Sequence, residues 1–156
     1  MQPCADVTTI HLRAASDSDS EFCYQLHKAA MGPYVTAIWG WDEQTQRDFH
    51  TRAFNPDRWQ IITDGGADIG MLDVEHRPSE IYISRIEICP SHQGRGFGTQ
   101  VISALIQEAR QTGQALALDV LVVNERARAL YLRLGLSEVG RHGDDNVKIA
   151  MRTTHP

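Results

Sequence analysis

Residues 8–13 alternate between polar and apolar side chains, the period of a β-strand. Ser16 and Asp17 then offer a cap to a helix whose Phe22, Cys23, Leu26 and Ala30 share one face, and Gly32-Pro33 is expected to end it. Residues 34–41 gather Tyr34, Trp39 and Trp41 and read as a shaped connector. Asp42 starts a second helix, which carries Phe49 and Ala53. After a turn at Asn55-Pro56-Asp57, strands are predicted over 58–63 and 67–75, with Asp64-Gly65-Gly66 as a hairpin turn between them. A second hairpin turns at Arg77-Pro78-Ser79.

In the strand that follows, isoleucine occupies odd positions, Ile81 and Ile83, and then even ones, Ile86 and Ile88. A strand shows one face to the core at every second residue, so this slip predicts a β-bulge near Ser84-Arg85. Beyond Pro90 lies a glycine-rich turn, then a helix with Val101, Ile102, Leu105, Ile106 and Ala109 on one face, stopped by Gly113. Residues 115–123 are nearly all apolar, which suits a strand covered on both faces. Strand, helix, strand calls for a parallel pair with a right-handed crossover, and hence a mixed sheet. Asn124 caps a last helix in which Ala127, Leu130, Tyr131 and Leu134 recur at helical spacing up to Gly135. A terminal hairpin, 136–141 and 147–152, turns at Gly143-Asp144-Asp145. No linker interrupts the 156 residues, so one domain over 1–156 is expected.

Composition narrows the function. The net charge of -5 and the scattered Lys and Arg argue against nucleic acid as a partner. Cys4, Cys23 and Cys89 are odd in number and far apart, and the seven histidines form no helical pair, so neither a disulfide framework nor a metal site is expected. A reducing cytoplasm fits the cysteines. The first residues lack an apolar signal core and no apolar run could span a bilayer, so no membrane association is expected.

Gln93-Gly94-Arg95-Gly96-Phe97-Gly98 sits between strand and helix, where glycines let the chain turn tightly and leave amide N–H groups free. Free amides together with the positive end of a helix favour a phosphate or pyrophosphate. No Gly-Lys-Ser/Thr follows, and the glycine spacing does not fit the dinucleotide fingerprint. The pattern Gln/Arg-x-x-Gly-x-Gly/Ala, met by Gln93, Gly96 and Gly98 after Ile86-Glu87-Ile88-Cys89-Pro90, resembles the acetyl-CoA motif of the GNAT N-acetyltransferase superfamily. Asn124, Ala129-Leu130-Tyr131 and Gly135-Leu136 continue the resemblance in order.

The resemblance implies an α/β (α+β) fold: a mixed, mostly antiparallel sheet of six or seven strands with a central parallel pair, splayed by a bulge and flanked by about four helices. It implies a cytoplasmic enzyme, monomer or homodimer, that passes acetyl from acetyl-CoA directly to a primary amine of a small molecule, peptide or protein. By the same resemblance, Ile86, Glu87 and Ile88 would pair with the pantetheine arm. Gly94, Arg95, Gly96, Phe97, Gly98 and Thr99, with Gln93, would hold the pyrophosphate, and Asn124 would bond the arm. Tyr131 would be the general acid at the sulfur, although on pattern alone it reads as core. Where the family often carries a glutamate base, this strand has Tyr82 and Ser84, which leaves Glu87 as the nearest carboxylate, ahead of Asp73 and Glu75. Tyr34, Trp39, Trp41 and Tyr82 are candidates for the acceptor pocket. A non-catalytic acyl-CoA sensor and a partner-binding module remain as alternatives.

Overall fold

In the computed structural model, which describes residues 10–154, seven strands form one sheet in the order β1-β2-β3-β4-β5-β7-β6. The strands are β1 (Ile10–Ala14), β2 (Gln60–Asp64), β3 (Ala67–His76), β4 (Glu80–Ile88), β5 (Ala115–Leu121), β6 (Leu136–His142) and β7 (Lys148–Thr153). The helices are α1 (Ser20–Trp39), α2 (Glu43–Ala53), α3 (Phe97–Gln111) and α4 (Glu125–Arg133). All neighbours run antiparallel except β4 and β5, the expected parallel pair. The first residues of the predicted opening strand, Thr8 and Thr9, lie outside the described residues, as does Cys4. No helix among the described residues is long and apolar enough to cross a membrane.

Strand alternation sorts the core into two layers. Ile61 and Met71 face α1, where they meet Cys23, Leu26 and Trp59; Ile62 and Leu72 face α3 and α4, where they join Val101, Ile102, Leu105 and Tyr131. The terminal hairpin closes the second layer with Leu136, Ile149 and Met151. β5 supplies residues such as Leu116, Leu118 and Val120, buried as the apolar run required.

The predicted bulge is present. β4 pairs Arg85 with Asp73 and then Ile83 with Val74, which leaves Ser84 without a partner. On its other side β4 pairs with β5 only from Glu80↔Ala115 to Ile83↔Leu118, and past Ser84 the two strands part. Two caps behave as read: Asp42 accepts from the Thr45 amide and Asn124 from the Ala127 amide, whereas Ser16 precedes a 3-10 turn, Asp17–Asp19, after which α1 begins at Ser20.

One expectation fails. Gly32-Pro33 does not end α1, which continues to Trp39, so residues 34–39 are helix rather than connector. Proline fits helical φ, and its cost is the lost bond to the carbonyl four residues back, that of Ala29. The apolar face outlasts that loss: Met31 and Val35 follow at helical spacing, and Val35 is buried. Gly40, at φ 79°, is the true end.

Gly32 lies inside this helix at an ordinary φ, and a Cβ placed there would meet nothing within 4 Å. In a Pro33→Ala background, where no proline ring crowds the new Cβ, Gly32→Ala is therefore expected to stabilise the protein by about 0.5–1 kcal/mol through helix propensity. Urea unfolding checks this, with a raised midpoint at unchanged slope.

Candidate active site

Where β4 and β5 part, two cavities meet. The first, about 390 Å³, runs from the glycine turn between β4 and α4; the second, about 440 Å³, opens between the bulged part of β4, the end of β5 and α1. Met31, Ile86, Glu87, Asn124 and Tyr131 line both, so these residues stand at the junction.

The first cavity begins at an anion-friendly turn. Gly94 and Gly96 take φ values of 75° and 86°, the left-handed region that glycine enters freely. The amides of residues 94–99 donate to no backbone carbonyl among the described residues; the first helical bond is from Gln100 to the Gly96 carbonyl. They sit at the positive end of α3. Gln93 braces this loop, its Nε2 donating to the Ile88 carbonyl at 2.9 Å.

Arg126, in the first turn of α4, donates to Gln93 Oε1 at 3.4 Å and lies beside Gly94. It adds a cation to the turn that the sequence pattern did not reveal. Arg95 is exposed instead, its guanidinium 5.1 Å from the centre of the Phe97 ring. Since Cys89 N–H bonds to the Ile69 carbonyl, and the Ile88 carbonyl points to Gln93, strand alternation turns the N–H of Ile88 and both backbone groups of Ile86 toward the cavity.

At the junction, Tyr131 is buried and its hydroxyl makes no hydrogen bond among the described residues. Burial, with a further push from the negative charge of Glu87, raises its pKa to about 12. Glu87 is only 7% exposed and is ion-paired. It faces α1, where His27 Nδ1 lies 2.8 Å from its Oε1, while Arg85 Nη1 reaches Oε2 at 3.3 Å. The Arg85 guanidinium in turn lies 4.9 Å from the centre of the Trp59 ring.

The second cavity carries Val35 and Trp39 of α1, Tyr82 and Arg85 of β4, Asp119 of β5 and Lys148 of β7. The Tyr82 hydroxyl donates to Asp119 Oδ2 at 2.7 Å, and His142 Nε2 meets Oδ1 at 2.8 Å. Burial and the Asp119 carboxylate push the Tyr82 phenol well above its usual pKa. Trp39 is 54% exposed at the rim. Tyr34 borders the first cavity, whereas Trp41 lines neither and donates its indole N–H to Glu43 at 3.2 Å. Of the lesser carboxylates, Asp73 is held by Arg58 and Glu75 by Arg77. Burial raises the Cys89 thiol pKa, as befits a packed side chain. Among the described residues no three His, Cys, Asp or Glu side chains converge as a metal would require.

The profile of the acetyltransferase (GNAT) family matches residues 21–136, most of the chain. The chain belongs to this family and is an acetyltransferase. It is 26% identical over 141 residues to the N-alpha-acetyltransferase RimI of Mycobacterium tuberculosis, covering 87% of this chain and 84% of that protein. Among solved structures, the PaiA N-acetyltransferase of Thermoplasma acidophilum in complex with coenzyme A superposes with a TM-score of 0.75 at 12% identity, over 94% of this chain and 99% of that one. The ribosomal-protein-S18-alanine N-acetyltransferase of Escherichia coli gives 0.64 at 20%, over 92% of each chain. These likenesses place the GNAT fold on the sheet just described.

The glycine turn yields a comparison of two substitutions. Gly96→Ala and Gly94→Ala each force an L-residue into positive φ, an expected loss of about 1–2 kcal/mol apiece. The two losses are expected to be alike, because the Gly96 Cβ meets open space and the Gly94 Cβ meets only the tip of the exposed Arg126 side chain, 3.0 Å away, which can swing aside. Thermal unfolding of the two variants side by side checks this.

Proposed function

We propose that this single-domain acetyltransferase is cytoplasmic, a monomer or homodimer, and moves acetyl from acetyl-CoA to a primary amine by direct attack within a ternary complex. The observation that carries this reading is the meeting of two cavities across the bulge, one ending in free amides and a cation, the other reaching Glu87 and Tyr131 from the α1 side. The amides of Gly94, Gly96, Phe97, Gly98 and Thr99, with Arg126, bind the pyrophosphate. The cavity-facing backbone of Ile86 and Ile88 pairs with the pantetheine arm, and Asn124, while capping α4, borders it.

The thioester then lies at the junction. The amine enters through the second cavity, loses a proton, and attacks the carbonyl carbon. A backbone N–H of the splayed strand meets the oxyanion, since fixed amides need no rearrangement as charge develops. The C–S bond breaks, acetyl stays on nitrogen, and the second amine proton balances the coenzyme A thiolate. Tyr131 meets that thiolate. A phenol with a pKa of about 12 stays protonated at working pH. A thiolate of ordinary pKa, about 8.5, is too weak a base to take its proton outright. Tyr131 therefore stabilises the leaving sulfur by donating a hydrogen bond.

Deprotonation decides which amine is easiest. A lysine amine, pKa about 10.4, costs about 4.6 kcal/mol to neutralise at pH 7, whereas an α-amino group near 7.7–8.0 costs about 1 kcal/mol. The mycobacterial relative is an N-alpha-acetyltransferase, which puts a peptide α-amino group first among acceptors to test.

The test is thiol release from acetyl-CoA across alkylamines and short peptides. Tyr131→Phe is expected to lower kcat about 10²-fold without weakening coenzyme A binding. Arg126→Gln is expected to weaken coenzyme A and to flatten the salt dependence of its affinity, read by calorimetry at two ionic strengths. Coenzyme A at 100 times its Kd should add about 2.7 kcal/mol of stability, and NAD or ATP far less; equal shifts for all three would overturn the proposal.

A further inference from the structure

The reaction needs somewhere for the first amine proton to go, and α1 brings a group to the junction that the glycine and tyrosine motifs do not include. His27 lies on α1 and Glu87 sixty residues later on β4, so only tertiary packing joins them. Their contact, Nδ1 to Oε1, is 2.8 Å, with Glu87 buried and the His27 side chain 21% exposed beside the second cavity.

Two contacts meet at His27 Nδ1, and the shorter one selects the tautomer. Arg85 Nη1 lies 3.3 Å from Glu87 Oε2 and 3.2 Å from His27 Nδ1. An ionised carboxylate offers only lone pairs, so a ring nitrogen 2.8 Å away must present a proton to it. A bare Nδ1 could accept one of the two Arg85 Nη1 protons at 3.2 Å, but it would set lone pair against lone pair across the shorter 2.8 Å contact and leave Glu87 Oε1 without its donor, so the charge-assisted contact to the carboxylate decides. Nδ1 therefore carries the hydrogen in the neutral ring, and the lone pair is on Nε2. That nitrogen makes no hydrogen bond among the described residues, and the ring borders the cavity that also reaches Tyr131 and Asp119.

We propose that His27 is the general base, its Nε2 taking the proton from the acceptor ammonium while Glu87 acts as the positioning residue that holds the ring and its tautomer. The inference rests on the acetyl-transfer reading above. In the step, an N–H bond of R–NH3+ breaks and an Nε2–H bond forms, leaving R–NH2 and an imidazolium beside Glu87. The freed nitrogen pair forms the C–N bond, the C–S bond breaks, the second amine proton goes to the coenzyme A thiolate, and the imidazolium returns its proton to solvent. Glu87 thus helps without touching the amine.

His27→Asn is the informative variant, because an amide N–H can still reach Glu87 from near the Nδ1 position while the Nε2 lone pair is gone. With the alkylamine or peptide that turns over best, kcat is expected to fall by about 10²- to 10⁴-fold, with KM for acetyl-CoA little changed. With hydroxylamine, whose nitrogen is already neutral at pH 7, the loss should shrink to under about tenfold, since no deprotonation precedes attack. Equal losses with both acceptors, or undiminished turnover with the alkylamine or peptide, would overturn the role. Long-range 1H–15N correlation spectra of ring-labelled protein, with His27→Asn assigning the signal, should show the neutral His27 ring protonated on Nδ1; an Nε2–H ring overturns the proposal without any acceptor. A wild-type protein that binds coenzyme A yet acetylates nothing would count against the transferase reading instead, and the ring spectrum would then decide the tautomer claim alone.

Discussion

One unpaired residue organises this protein. Ser84 has no partner across β3, and the single-residue shift it introduces turns the rest of β4 away from β5 just where their four-residue parallel ladder ends. Hydrogen-bonding groups that a regular sheet would consume are left facing a gap, and the gap is where both cavities open. The two core layers pack against the sheet on its two faces. Everything chemical in the site is arranged around the gap.

The charges at the junction obey the same constraint. Opening the sheet brings a buried carboxylate, Glu87, within reach of α1, and a buried carboxylate without partners would be expensive to keep ionised. His27 and Arg85 meet it from two directions, and Trp59 backs Arg85 from below. Tyr131, on the far side of the junction, feels that negative charge together with its own burial, and so keeps its proton. The site therefore separates a group that accepts protons on the α1 side from one that retains its proton on the α4 side.

Much of this was legible in the sequence because it is local. The shift of isoleucines from odd to even positions announced the bulge, the glycines after Pro90 announced the free amides, the apolar run announced a doubly covered β5, and Asn124 announced the start of α4. The failures are tertiary. Gly32-Pro33 looks like a stop until Val35 is seen to be buried, and that burial depends on strands far away in the chain. The burial of Glu87 was not legible because α1, which covers its face of β4, comes from far away in the chain, and no local signal pairs it with His27. Arg126 drew no reading from the sequence, because its place beside Gln93 and Gly94 depends on the packing of α4 against the glycine turn. Arg95, inside the motif, is exposed and lies over the Phe97 ring.

The proline within α1 divides that helix into parts with different obligations. Before it, Cys23, Tyr24 and Leu26 are locked among core side chains; after it, Tyr34 and Trp39 border open space at the mouths of the cavities. Substitutions at Tyr34 and Trp39 can widen, narrow or recharge these mouths while buried Val35 and the earlier part keep the helix seated on the core. In the proposed acetyl transfer, the shape of the entrance is thus separable from the groups at the junction.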